Sequence, residues 1–146
     1  MGPTVSFAPP RLEVELVARP DSIPVVSSLV QTFLTECVGL GPNDVAVSHV
    51  RIAVVEAVTN VVRHAYPGEP GPIALALEFR NDTIAACIRD AGEEFDPTNA
   101  ADLPDPTELA EGGYGLGIMQ SVMEELEHEY RAGFGNEFTM KKRISR

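Results

Sequence analysis

Residues 45–64, VAVSHVRIAVVEAVTNVVRH, form a stretch of twenty residues without glycine or proline. Asn43 and Asp44 precede this stretch and are typical helix N-cap residues. Its apolar residues, most of them valine, occur at nearly every position around a helix. Such a helix is expected in the interior of a domain rather than on its surface. The stretch therefore predicts a central helix, against which the rest of the chain packs.

The residues before this helix predict one strand and a second helix. Polar and apolar residues alternate over residues 11–18, which is typical of a strand with one solvent-facing side. Helical spacing begins after Asp21 and Ser22 and ends at Gly39. Cys37 lies on the apolar stripe of this helix, so we expect it to be a buried, unreactive side chain.

The residues after the central helix predict three further segments. Strands over residues 73–79 and 84–90 are joined by a turn at Asn81 and Asp82. A polar, proline-containing stretch at residues 96–113 is too long for an ordinary connection, and we expect a mobile flap. Helical spacing returns from Gly117 to Leu126, and residues 127–131 and 137–144 predict a closing strand pair.

Together these elements predict the α/β class. We expect a two-layer sandwich in which three main helices cover one face of a mixed, largely antiparallel sheet. Residues 1–10 are expected to form an extended or disordered lead, and residues 11–146 a single domain.

Composition excludes several classes of protein. The chain has 146 residues, 44% of them hydrophobic, and 11 basic against 22 acidic residues give a formal net charge of −11. A surface this negative repels a phosphate backbone, so we expect no direct binding of nucleic acid. No uninterrupted apolar run approaches the length of a membrane span, and the N-terminus lacks the features of a signal peptide. Two cysteines without metal-ligand spacing favour the cytoplasm.

A polar stripe interrupts the apolar helix. Glu56, Asn60 and His64 are spaced at i, i+4 and i+8 and share one helix face. A carboxylate and an amide in such surroundings need a ligand or a hydrogen-bond partner. The structural alternative is a polar edge that faces solvent.

Two further segments carry glycines beside polar groups. Asp90-Ala91-Gly92 directly follows a predicted strand, where a ligand crevice commonly opens, although an isolated segment of this kind is usually a simple turn. Residues 112–117, GGYGLG, lead into a helix whose N-terminal amides favour anions. A structural hinge is the alternative for this second segment.

In this order the three segments resemble the N box and the two glycine boxes of the GHKL ATPase superfamily. The N box corresponds to residues 56–66, EAVTNVVRHAY; the glycine boxes correspond to residues 90–97, DAGEEFDP, and 113–119, GYGLGIM. The chain is most similar to the anti-sigma-factor serine kinases of bacteria, over residues 11–144.

The resemblance implies roles for single residues. Glu56 would be the catalytic base that takes the proton from a serine hydroxyl, and Asn60 would bind Mg²⁺. Asp90 would accept a hydrogen bond from the adenine amino group of ATP, with Gly92 allowing the base to approach. The residues that would hold the phosphates are Gly113, Tyr114, Gly115, Leu116 and Gly117, together with Arg63 or His64. Residues 98–112 would be the lid.

The resemblance also implies partners. It predicts an ATP-dependent protein serine kinase that acts as an anti-sigma factor: a homodimer that sequesters a sigma factor and phosphorylates an anti-anti-sigma protein.

Two departures motivate a different interpretation. Glu94 replaces a glycine that relatives often carry. No Lys or Arg lies between Arg89 and Arg131, whereas twelve acidic residues do. The alternative is therefore a regulatory module without phosphotransfer, which binds a nucleotide, or none, and acts by protein contact alone. His49 and His128 receive no role.

Overall fold

The structure, a computed structural model, describes residues 8–98 and 115–145. In chain order its elements are β1 (Arg11–Val17), α1 (Ser22–Thr32) with a π-helical turn (Phe33–Cys37), α2 (Val45–His64), β2 (Pro72–Arg80), β3 (Thr83–Asp90), α3 (Gly115–Val122), β4 (Glu125–Arg131) and β5 (Gly135–Arg143). Residues 1–7 of the expected lead, and all of the expected lid except Thr98, lie outside the described residues.

The five strands form one sheet in the order β1-β2-β3-β5-β4. All four pairings are antiparallel. The α/β sandwich is therefore confirmed, and its sheet, which we expected to be mixed but largely antiparallel, is entirely antiparallel over the described residues. Asn81 and Asp82 both have positive φ, 52° and 57°, which is the backbone of the predicted two-residue hairpin turn.

The core lies between the sheet and α2. Eight residues of α2 are buried, namely Ala46, Val47, Val50, Ala53, Val54, Ala57, Val58 and Val61. They meet the inward side chains of the central strands, such as Leu77, Ile84 and Ile88. By length and composition alone α2 could also cross a membrane. Its burial against the sheet identifies it instead as the central helix that its sequence predicts.

The prediction that Cys37 is buried is wrong. Cys37 is exposed, and Val38 takes its place in the core. The cause is the π-helical turn, in which the Val38 N–H donates to the Phe33 carbonyl, five residues earlier, at 3.0 Å. The extra residue in this turn rotates the following side chains around the helix axis.

The backbone remains wider than an α-helix from the π-helical turn to the end of the helix. The Leu34 carbonyl, which an α-helix would pair with the Val38 N–H, accepts instead from the Leu40 N–H at 3.0 Å. Gly39, with a φ of 87°, provides the left-handed backbone that ends the helix. The end of this helical segment at Gly39 is as predicted.

The helical pattern from Gly117 to Leu126 predicts a helix that extends too far along the chain. α3 ends at Val122, and Leu126 lies on β4. Apolar residues four apart satisfy both a helix and an alternating strand, so the spacing alone does not place the boundary. In the structure Lys142 Nζ of β5 donates to the Val122 carbonyl at 2.9 Å, which satisfies a backbone group at the end of the helix.

The N-terminus of α2 provides a test of the fold. The Asp44 side chain accepts a hydrogen bond from the Ala46 N–H at 2.9 Å, whereas the neighbouring Asn43 is exposed and does not cap the helix. We expect Asp44→Ala to lower the free energy of unfolding by about 1 kcal/mol. Asn43→Ala is the matched control, and urea denaturation measures both. Equal losses in the two variants would contradict the cap.

Candidate functional site

Glu56, on the polar stripe of α2, lies beside the first turn of α3. Glu56, Asn60 and His64 are all half-buried. A Cβ atom built on Gly115 would lie 2.7 Å from Glu56 Oε2, so the two helices approach closely at the glutamate. A side chain at position 115 would crowd the Glu56 carboxylate, so glycine leaves room for this carboxylate beside the start of α3.

Burial shifts the pKa of Glu56. Partial desolvation raises the pKa of its carboxyl group, and the positive charge of Arg63 opposes this effect. Arg63 is itself exposed, seven residues along the same helix. A carboxylate with a raised pKa is a better proton acceptor than an ordinary surface glutamate.

Asp90 closes β3 and is 8% exposed. Its Oδ1 atom accepts from the Gly92 N–H and from Asn136 Nδ2, both at 2.9 Å. Within the described residues no hydrogen bond reaches its second carboxylate oxygen, Oδ2. One carboxylate oxygen of Asp90 is therefore without a hydrogen bond from residues 8–98 and 115–145.

A small pocket brings the two predicted ligand groups together. Asn60 of α2 and Asp90 of β3 both line it, although they come from different layers of the sandwich. The remaining lining residues are mostly apolar: Ala57, Val61, Ala65, Ile88, Phe95, Pro97, His128, Asn136 and Phe138. Apolar walls with a few polar groups are typical of small-molecule sites.

Close backbone contacts hold Asp90 at this pocket. A Cβ atom on Gly92 would lie 2.1 Å from the Ala65 carbonyl oxygen, and the Glu93 N–H donates to that same oxygen at 2.8 Å. Glycine is therefore required at position 92 for contact with the end of α2, a reason that differs from the predicted approach of a base. The Tyr66 hydroxyl adds a further link, because it accepts from the Ala91 N–H at 2.8 Å.

The other predicted site residues that the structure describes do not line this pocket. The His64 ring stacks on Phe95 with the ring centroids 4.6 Å apart. Glu94 is exposed, so it does not narrow the pocket. Leu116 and Gly117 lie in the first turn of α3 with Gly115. Gly113 and Tyr114 lie outside the described residues.

Asn60 has the chemistry of a magnesium ligand. No hydrogen bond to its side chain is present within residues 8–98 and 115–145, so its amide oxygen has no protein partner there. Those same residues hold no cluster of three or more His, Cys, Asp or Glu side chains for a metal. An amide oxygen completed by phosphate and water oxygens is a common way to hold Mg²⁺, which keeps several non-protein ligands. The donor set therefore fits an ion that arrives with a nucleotide.

Two residues of the pocket were missed by sequence reasoning. Asn136 and His128 lie on β5 and β4, far along the chain from Asp90, and the structure brings both to the pocket. The signal that could have identified Asn136 is strand register, because it pairs directly with Asp90. That register becomes visible only once β5 is paired with β3.

Comparison with known proteins gives one consistent result. The family model described as the histidine kinase-like ATPase domain matches residues 16–142. A serine-protein kinase RsbW of Bacillus pumilus is 30% identical over 134 residues, which cover 84% of this chain and 80% of the relative. An anti-sigma F factor of Clostridium beijerinckii is 27% identical and covers 92% of this chain and 95% of the relative.

A solved structure supports the fold. The RsbU and RsbW domains of a Mycobacterium tuberculosis protein match with a TM-score of 0.69 and 23% sequence identity. The match covers 94% of this chain but only 33% of that protein. With the family model spanning most of the sequence, this chain belongs to the histidine kinase-like ATPase domain family, in the branch of the RsbW serine-protein kinases and anti-sigma F factors.

Proposed function

We propose that this chain is an ATP- and Mg²⁺-dependent protein serine kinase that also acts as an anti-sigma factor. The observation that carries the proposal is the position of Glu56 and Asn60, one helical turn apart on α2, between the start of α3 and the pocket that contains Asp90. The catalytic base Glu56, the metal ligand Asn60 and Asp90, the hydrogen-bond acceptor for the nucleobase, are then arranged in one row.

Asp90 and the pocket hold the nucleoside. The free Oδ2 oxygen of Asp90 accepts a hydrogen bond from the adenine amino group, and the apolar pocket residues contact the ring. The amides at the start of α3 favour the negative charge of the phosphates. Asn60 lies between these two parts and supplies its amide oxygen to Mg²⁺, which offsets phosphate charge.

Glu56 performs the proton transfer. Its carboxylate accepts the proton of a serine hydroxyl on the protein substrate while the serine oxygen bonds to the terminal phosphorus of ATP and ADP leaves. The raised pKa of Glu56 suits this task, because the carboxylate must gain a proton during the step and lose it afterwards. Arg63 opposes the rise in this pKa and so favours the ionised form that accepts the proton.

The substrate and partners follow from the family. We infer that the phosphorylated protein is an anti-anti-sigma factor, that the sequestered partner is a sigma factor, and that the site of action is the cytoplasm. The anti-sigma F name of the Clostridium relative supports the sigma-factor part. Because the sequence has no lysine or arginine between Arg89 and Arg131, Mg²⁺, backbone amides and Arg63 are left to meet the phosphate charge.

We further infer a homodimer that forms through the uncovered face of the sheet. Small, half-buried side chains occupy the centre of this face, including Ala76, Cys87 and Thr139 in one cross-strand row. Six of the 11 basic and seven of the 22 acidic residues point outward around them. This face is therefore nearly neutral in a chain of net charge −11, so two copies can meet there without strong repulsion.

The base assignment is tested with Glu56→Gln. We expect phosphate transfer from ATP to the anti-anti-sigma partner to fall by about 10²–10⁴-fold, because the amide cannot accept the proton. Nucleotide binding, measured by calorimetry, is expected to persist. Glu36→Gln, at an exposed glutamate, is the matched control for transfer. Unchanged transfer in Glu56→Gln would contradict the assignment.

Glu56→Gln is also expected to change the stability of the protein. Burial raises the pKa of Glu56 in the folded protein, so its contribution to stability falls as pH rises from the ordinary carboxyl range through this raised pKa. A neutral glutamine avoids that loss. We expect Glu56→Gln to melt at a higher temperature than the wild type at about pH 7 and at the same temperature at about pH 4. An equal or lower melting temperature at neutral pH would contradict the burial of charge at this position.

The metal assignment is tested by thermal melting. A saturating nucleotide, at about a hundredfold excess over its Kd, is expected to raise the melting temperature of the wild type by about 5–10 °C in the presence of Mg²⁺. In Asn60→Ala we expect the part of this shift that depends on Mg²⁺ to vanish. Asn43→Ala, at an exposed asparagine, should retain it. A full Mg²⁺-dependent shift in Asn60→Ala would exclude Asn60 as the ligand.

The dimer face is tested by sedimentation velocity. Cys87→Arg places a large charge at the centre of the uncovered face, and we expect it to convert the dimer into a monomer. Thr32→Arg adds the same charge on the exposed side of α1 and should leave the dimer intact. A wild-type monomer would contradict the homodimer, and a dimeric Cys87→Arg variant would contradict this face.

A further inference from the structure

His128 and Asn136 form a buried polar pair behind Asp90. The His128 side chain is 6% exposed and Asn136 is 5% exposed, and both line the pocket. Buried polar side chains are costly unless their hydrogen bonds are satisfied, so their partners indicate what they hold in place.

The hydrogen bonds of Asn136 fix the orientation of its amide. Its Oδ1 atom accepts from the Phe95 N–H at 3.0 Å, and its Nδ2 atom donates to the Glu93 carbonyl at 2.6 Å. A backbone N–H can only donate and a carbonyl oxygen can only accept, so the amide cannot be reversed. Nδ2 must therefore face Asp90 Oδ1, at 2.9 Å.

His128 completes this arrangement. Its Nε2 atom lies 2.9 Å from Asn136 Oδ1, and because that oxygen can only accept, Nε2 carries the proton. Its Nδ1 atom lies 3.8 Å from Asp96 Oδ1, in the segment that leads toward the expected lid. Asp96 Oδ1 also accepts from the N–H of Thr98 at 2.8 Å. One histidine on the edge strand thus contacts both the asparagine that holds Asp90 and the segment above the pocket.

We propose that His128, acting through Asn136, is a positioning residue that makes the pocket selective for a 6-aminopurine. Asn136 donates a hydrogen bond to Asp90 Oδ1, which leaves Oδ2 as a pure acceptor directed at the base. Such an acceptor binds an amino group and rejects a purine that has no donor at that position. The proposal rests on the proposed ATP site and assigns part of its base selectivity to a residue that acts through Asn136 and Asp90.

The alternative is that His128 only fills space in the core. The two possibilities differ in which ligands they affect. A space-filling role would weaken all nucleotides by the same factor, because the pocket as a whole would loosen. A positioning role weakens ATP more than purine riboside triphosphate, an analogue that lacks the 6-amino group.

The experiment measures the Kd of both nucleotides by calorimetry with Mg²⁺. We expect the wild type to prefer ATP by about 10–100-fold, as for a hydrogen bond to a charged group. His128→Phe keeps a ring but loses the donor, and we expect it to reduce this preference by about fivefold or more. His128→Gln retains an N–H donor and should restore much of the preference.

Controls separate the possible failures. His49→Phe makes the same change at a half-buried histidine outside the pocket and should leave the preference unchanged. A wild type that binds both nucleotides equally would contradict the adenine role of Asp90 itself. A wild type with the expected preference, together with an equal preference in His128→Phe, would overturn the positioning role alone. If His128→Phe does not fold, an unrestored preference in a folded His128→Gln would overturn it as well.

Discussion

The packing of α2 against the sheet is the constraint on which the other features depend. The helix is so apolar that it must be buried along one side, and this fixes which of its residues remain accessible. Glu56 and Asn60 lie at the edge of the buried surface, where a carboxylate is partly desolvated and an amide is left without a protein partner among the described residues. The fold thus produces the raised pKa of Glu56 by the same packing that stabilises the domain.

The second layer of the site depends on strand pairing rather than on the helix. Asp90 lies at the end of β3, and the antiparallel register places Asn136 directly opposite. Gly135, with a φ of 111°, has no side chain because a Cβ atom there would lie 2.0 Å from the Asp90 carbonyl oxygen. β5 can therefore approach Asp90 closely enough for the Asn136 amide to hold its carboxylate. The selectivity proposed for the pocket is a consequence of this close approach.

The sequence was sufficient to predict the structure wherever a pattern within a few residues determines it. The limits of α2, the hairpin at Asn81 and Asp82 and the grouping of Glu56 with Asn60 all follow from spacing within a few residues. The exposure of Cys37 could not be predicted, because the spacing of apolar residues in the sequence does not reveal the extra residue in the π-helical turn. Nor could the roles of His128 and Asn136, because they depend on contacts between distant strands.

The charge distribution links Mg²⁺ to Glu56, the proposed catalytic base. The outward sheet face is nearly neutral, so most of the acidic excess belongs to the helices and connecting segments. Arg63 lowers the pKa of Glu56, and phosphate groups nearby would compete for that positive charge. A nucleotide without a cation would therefore raise the pKa of Glu56 further. Mg²⁺ at Asn60 would oppose this rise, because the charge that offsets the phosphates also favours the ionised form of Glu56.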